Sequence, residues 1–222
     1  MLALLRGLHC IATDPLLAIA NNYDMIRVQA CIDVWPDRED SIPPSAGSPH
    51  APIARYRFIE AVGAPCFLTS EVLFAWVAWP GMWIEQALRS DRSFSIRWMG
   101  GVHLVFLCLV AAWCTRRLIA ENQADLAAGH ALIVLLVLAD PGNLLYLNTF
   151  YAEPSSLLFL YALLASLLVA LAQAGPLSRW LLAGIFSCAL LLAASKIQHL
   201  FLPMIVFLAV VFLRALKFRP PR

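Results

Sequence analysis

Long apolar runs, broken by short polar segments, fill the second half of this chain. Uncharged or nearly uncharged stretches cover 98–115, 127–139, 155–172, 180–195 and 197–213. A membrane-crossing helix needs about 20 apolar residues, roughly 17–25, so the first, third and fifth stretches predict spans as they stand. The 127–139 run reaches that length by continuing past Asp140-Pro141-Gly142 toward Tyr146. The 180–195 run reaches it by starting near Pro176, with Arg179 snorkelling to the surface. In lipid, runs of this kind satisfy their backbone hydrogen bonds only as helices.

The first half is less regular. Residues 2–20 are apolar, but Arg6, His9 and Asp14-Pro15 interrupt them. Asp14 and Pro15 fall where the apolar core of a signal peptide would continue, so 1–24 reads as an imperfect, damaged or truncated first membrane segment. Residues 25–96 form a long loop. Seven arginines lie between 27 and 97, eight acidic residues lie from Asp33 to Asp91, and Pro36, Pro43, Pro44, Pro49 and Pro52 impose irregular backbone. Within it, Ala64 to Arg89 is apolar again, with Trp76, Trp79 and Trp83. This part reads either as another span or as helices lying along the interface, where tryptophan rings prefer to sit. Glu71 and the Pro80-Gly81 break favour the interface. The expected architecture is an all-α polytopic membrane protein of five to six transmembrane helices. Its divisions are an N-terminal segment at 1–24, an exterior loop with interfacial helices at 25–96 and a helical bundle at 97–222.

Composition agrees. Of 222 residues, 61% are hydrophobic and 14% charged, against about 25% charged in soluble domains, and the mean hydropathy is +0.76. A net charge of +2 with no basic run gives no reason to expect nucleic acid; the lipid bilayer is the expected partner. Basic residues in short loops favour the cytoplasmic side. With the long loop outside, Arg116, Arg117, Arg179, Arg214, Lys217, Arg219 and Arg222 fall inside, and Lys196 alone after Arg97 stays outside. The 140–153 loop and Ser195–His199 then share the exterior face with 25–96.

That face gathers Asp24, Asp140, Glu153, Lys196, Gln198 and His199, with Tyr23, Asn148 and Tyr151 nearby. Each alone also reads as an ordinary helix-end residue at the headgroup level. Together, ionisable residues at membrane depth tend to face cavities or partners. Partial burial raises a carboxylate toward the range useful to a general base, and a lysine meets phosphate as a point charge.

The Asn21-Asn22-Tyr23-Asp24-Met25-Ile26-Arg27 segment resembles the first-loop acidic motif of the GT-C superfamily, the multi-pass glycosyltransferases that use polyprenyl-phosphate sugars. The polar island Asn148–Pro154 stands where that superfamily carries further acids, and Ser195-Lys196-Ile197-Gln198-His199 is similar to a polar loop of its bacterial members. The resemblance implies sugar transfer from a polyprenyl-phosphate donor to an acceptor on the non-cytoplasmic face of a bacterial cytoplasmic membrane. Asp24 would be the catalytic base, with Glu153 and Asp140 as secondary acids. Lys196 and His199 would meet the lipid phosphate, and Tyr23, Arg27, Asn148, Tyr151 and Gln198 would bind substrate. No cofactor is implied, and a divalent ion bridging Asp24 and a phosphate stays open. Superfamily members are usually longer, so the chain resembles their N-terminal module. The alternative is a non-catalytic membrane subunit or transport component.

The remaining signals are structural. Cys10, Cys31, Cys66, Cys108, Cys114 and Cys188 show no metal-binding spacing and read as packing residues. Cys31 and Cys66 share the exterior loop, where a disulfide in an oxidising compartment is the lesser alternative to packing. His103 and His130 read as packed or hydrogen-bonded, and Gly100-Gly101 as a site of close helix approach.

Overall fold

The computed structural model describes residues 1–19, 23–37, 52–59, 63 and 65–217, with the side chains of Tyr23 and 213–217 outside that description. Asn21, Asn22, Pro43, Pro44, Pro49, Arg219 and Arg222 therefore lie outside the described residues.

Chain order runs α1 (Leu2–Ala12), α2 (Tyr23–Gln29), β1 (Val34–Pro36), β2 (Arg55–Phe58), α3 (Glu71–Leu88), β3 (Phe94–Ser95), α4 (Arg97–Ala120), α5 (Ala124–Ile133), α6 (Pro141–Leu144), α7 (Glu153–Ala172), α8 (Arg179–Ser195) and α9 (Leu202–Lys217). The protein is mostly helical. Helices α4 and α7 are long and apolar enough to cross a membrane; Leu2–Ala12, Ala124–Leu138, Arg179–Ser195 and Ile197–Phe212 are shorter apolar helices.

Local chemistry sets the helix ends. Helix α4 stops where Asn122 takes a φ of +58°, a left-handed conformation that asparagine tolerates. Helix α7 opens with Glu153 and Pro154, an acid suited to the positive end of the helix dipole and a proline whose missing N–H costs nothing there. Helix α8 starts at Arg179 rather than near Pro176, because the Ser178 side chain accepts the Leu181 N–H at 3.1 Å. The expected run toward Tyr146 is also corrected. A π-helical turn, Val134–Leu138, ends the helix, and the Asp140 carboxylate accepts the Gly142 N–H at 2.9 Å to start α6 with Pro141 at its head.

Contacts at the helix ends give the bundle two poles. Glu153 at the start of α7 meets Lys196 at the end of α8, and the Ser156 and Ser195 hydroxyls lie 2.8 Å apart. At the opposite pole, Ala174 donates its N–H to Glu121 at 3.4 Å, joining the ends of α7 and α4. Arg116, Arg117 and Arg179 belong to this second pole by chain position. Outward-facing side chains along the bundle include Val105, Leu109, Leu132, Leu164, Leu190 and Phe207, all more than half exposed. That surface suits lipid and would be a liability in water.

The 25–96 loop is not purely helical, which corrects the all-α expectation. It holds a three-stranded antiparallel sheet in the order β1-β2-β3, with Val34 opposite Phe58 and Tyr56 opposite Phe94. Strands of two to four residues are too short to show an alternating pattern. Tyr56 packs edge-on against Phe150 at 5.1 Å between ring centroids, so the sheet rests on the polar island. Helix α3 passes uninterrupted through Pro80. Its indoles Trp76, Trp79 and Trp83 are exposed. Glu85, near its end, accepts from Ser95 N–H at 3.0 Å and Trp98 Nε1–H at 2.8 Å, tying α3 to β3 and α4. A disulfide joins Cys31, just past α2, to Cys66.

Candidate functional site

A cavity of about 620 Å³ opens at the first pole of the bundle. Four separate segments line it: Asp24, Arg27 and Val28 from α2; Phe67, Leu68 and Thr69 from the strand-to-α3 connection; Ala152 and Glu153 at the head of α7; and Ala194 to Gln198 at the end of α8. Helix α2 is fixed from below by Met25 and Val28, both buried, which leaves Asp24 and Arg27 facing the opening. From the side it is held by Phe67, whose N–H donates to the Arg27 carbonyl at 3.3 Å. The Arg27 guanidinium lies 5.2 Å from the centre of the Phe67 ring, within cation–π range.

Charge in the cavity is balanced. Lys196 Nζ donates to Glu153 Oε1 at 2.6 Å, and Arg27 lies 3.7 Å from Asp24. All four side chains are about a third or more exposed, so they stay within reach of a ligand from the opening. Tyr151 is buried beside them. Burial chiefly, and the charges of Asp24, Glu153 and Tyr146, push its phenol up to about 12, and its side chain stands behind the cavity lining rather than in it.

Of the residues singled out from the sequence, Asp24, Arg27, Glu153, Lys196 and Gln198 line this cavity. The others sit elsewhere. Asp140 caps α6. His199 closes a single 3₁₀ turn by donating its N–H to the Lys196 carbonyl at 2.9 Å and does not line the cavity. Asn148 is buried, and its Nδ2 donates to the Leu17 carbonyl at 3.1 Å and the Cys10 carbonyl at 3.4 Å. It clips the N-terminal segment to the bundle and does not line the cavity. The side chain of Tyr23 lies outside the described residues. Among the described residues, no three His, Cys, Asp or Glu side chains gather in a way that could hold a metal ion.

Sequence reading missed Phe67, Leu68 and Thr69, none of which carries an ionisable group to mark it. It also took Glu71 for an interfacial marker. Glu71 is fully buried, with Oε1 2.8 Å from Nε2 of the equally buried His103.

A mostly helical chain with lipid-suited outer surfaces and a polar cavity at one pole defines a membrane protein. The family model described as the YfdI N-terminal transmembrane domain matches residues 52–222, and the chain belongs to that family. No curated protein and no solved structure matches it significantly.

Proposed function

We propose that the cavity is the site of a membrane glycosyltransferase that moves a sugar from a polyprenyl-phosphate donor to an acceptor hydroxyl on the non-cytoplasmic side. One observation carries this reading: two carboxylates and two cations, from segments as far apart as α2 and the end of α8, line one opening. The exterior placement draws support from the Cys31–Cys66 disulfide, which persists in oxidising compartments, and from the arginines at the opposite pole.

In this reading Arg27 and Lys196 hold the donor phosphate. The acceptor oxygen forms a bond to the anomeric carbon as the bond from that carbon to the phosphate oxygen breaks. The phosphate leaves with the electron pair, stabilised by the two cations in a partly dry site. The acceptor proton passes to Asp24 or Glu153, whichever carboxylate faces the hydroxyl.

A second reading has its own observation. Both carboxylates are paired with a cation within the chain, as expected of a non-catalytic membrane subunit whose polar pole binds a partner. Transfer of a radiolabelled sugar from polyprenyl phosphate, measured in vesicles carrying the protein, separates the two. D24N, E153Q and K196A are each expected to insert normally, and loss of the carboxylate that serves as base costs about 10²- to 10⁴-fold in rate. Transfer no higher than in vesicles without the protein rejects the enzyme and leaves the subunit, and transfer undiminished in all three variants rejects this site.

A further inference from the structure

The geometry points to Glu71 and His103 as a buried positioning pair that clamps the polar island at both ends and so places Glu153 in the cavity. His103 Nδ1 lies 2.8 Å from the Leu147 carbonyl oxygen. A carbonyl only accepts, so Nδ1 carries a proton and donates it there. Nε2 then faces Glu71 Oε1 at 2.8 Å, a close polar contact whose geometry falls outside that of a hydrogen bond. The other Glu71 oxygen, Oε2, accepts the Ser155 N–H at 3.0 Å. Two hydrogen bonds joined by one close contact therefore run from Leu147 through His103 and Glu71 to Ser155.

Leu147 precedes the island and Ser155 follows it in the first turn of α7, two residues beyond Glu153. The N–H taken up by Glu71 is one that the start of a helix leaves without an internal partner. A carboxylate there also favours the helix dipole. The pair is fully buried at both side chains and reaches the cavity only through the backbone it fixes. Phe74 packs edge-on against the His103 ring at 4.8 Å between centroids, which holds the imidazole plane. The positioning itself is independent of what the cavity binds; its value for transfer rests on the glycosyltransferase reading.

The test uses proximity rather than activity. In membranes carrying the full chain with E153C and K196C, a short bifunctional maleimide is expected to cross-link the two positions. A second pair at the far pole, E121C with A174C, serves as the control. Adding E71A is expected to abolish the 153–196 link while the 121–174 link persists. E71Q, which can accept from Ser155 and donate to a neutral His103, is expected to restore the first link. An unchanged 153–196 link in E71A overturns the clamp. Loss of both links in E71A also overturns it, since Glu71 would then hold the whole bundle. Failure of E71Q to restore the first link, with the control intact, overturns the part given to the Ser155 N–H bond. Cross-links that behave as expected in a protein showing no sugar transfer keep the clamp and reject only the enzyme.

Discussion

Lys196 and Glu153, 43 residues apart in the chain, meet at 2.6 Å across the gap between the end of α8 and the start of α7. This ion pair fixes both residues at one pole of the bundle. It also brings a cation from a 3₁₀ turn beside the acid of the polar island. Both groups remain partly exposed, and a pair of that kind contributes only about 0.2–1 kcal/mol.

Stability and function should therefore separate at this pair. K196A and E153Q are each expected to lower unfolding stability by no more than about 1 kcal/mol. A double-mutant cycle followed by thermal unfolding in detergent measures the coupling directly. A coupling of several kcal/mol would show that the pair is chiefly structural.

Gly100 is needed for packing rather than flexibility. A Cβ at this position would sit 2.0 Å from Asn148 Oδ1 and 3.1 Å from Ile11, so the Asn148 clip depends on a bare backbone. G100A is expected to destabilise by about 1–3 kcal/mol, the usual cost of overpacking. Part of that loss should return in G100A/N148A. If the single and double variants melt alike, with N148A itself neutral, the close approach has no energetic weight.

The disulfide spans 35 residues and ends one residue before Phe67, a wall of the cavity. Closing a loop of this size stabilises by about 2–4 kcal/mol. C66S should make the 25–70 region markedly more sensitive to protease. In intact cells, a membrane-impermeant reductant followed by a thiol-reactive polymer should shift the protein on a gel. A shift appearing only after the cells are opened would place the loop on the wrong side.

Tyr151 gives the folded chain an alkaline signature. Its phenol is raised from 10.0 to about 12 by burial and by the neighbouring acids, so the folded chain holds this proton more tightly than the unfolded one. The corresponding stability is complete below about pH 10 and is lost as pH rises toward 12. Tyrosinate absorbance should show one late-titrating tyrosine that disappears in Y151F. Ionisation of Tyr151 near pH 10 would mean that the phenol is not buried beside Asp24 and Glu153.

Uninterrupted apolar stretches made the long helices legible. The expected 98–115 and 155–172 correspond to α4 and α7, because such runs have one way to satisfy their backbone in lipid. The break at Asp140 was readable in principle, since a capping acid followed by proline marks a helix start, but the surrounding hydrophobicity masked it. The sheet was not readable, because pairing Val34 with Phe58 depends on tertiary contacts across a proline-rich connection. The candidate site divided in the same manner. Asp24, Glu153 and Lys196 stood out as charges among apolar neighbours. Glu71 and His103, 32 positions apart, gave no sign of each other, and Asn148 looked exposed because its backbone partners lie over 130 residues away.

The central claim is that the acids and cations of this pole form one exterior site for a lipid-linked phosphate. Labelling of L68C and A194C, two cavity-lining positions with no part in the chemistry, in intact cells by an impermeant maleimide, with and without excess polyprenyl phosphate, tests it most directly. Labelling from outside at both positions, blocked by the lipid phosphate, is the predicted result. Labelling of either position only after permeabilisation, or at a rate the lipid phosphate leaves unchanged, would contradict it.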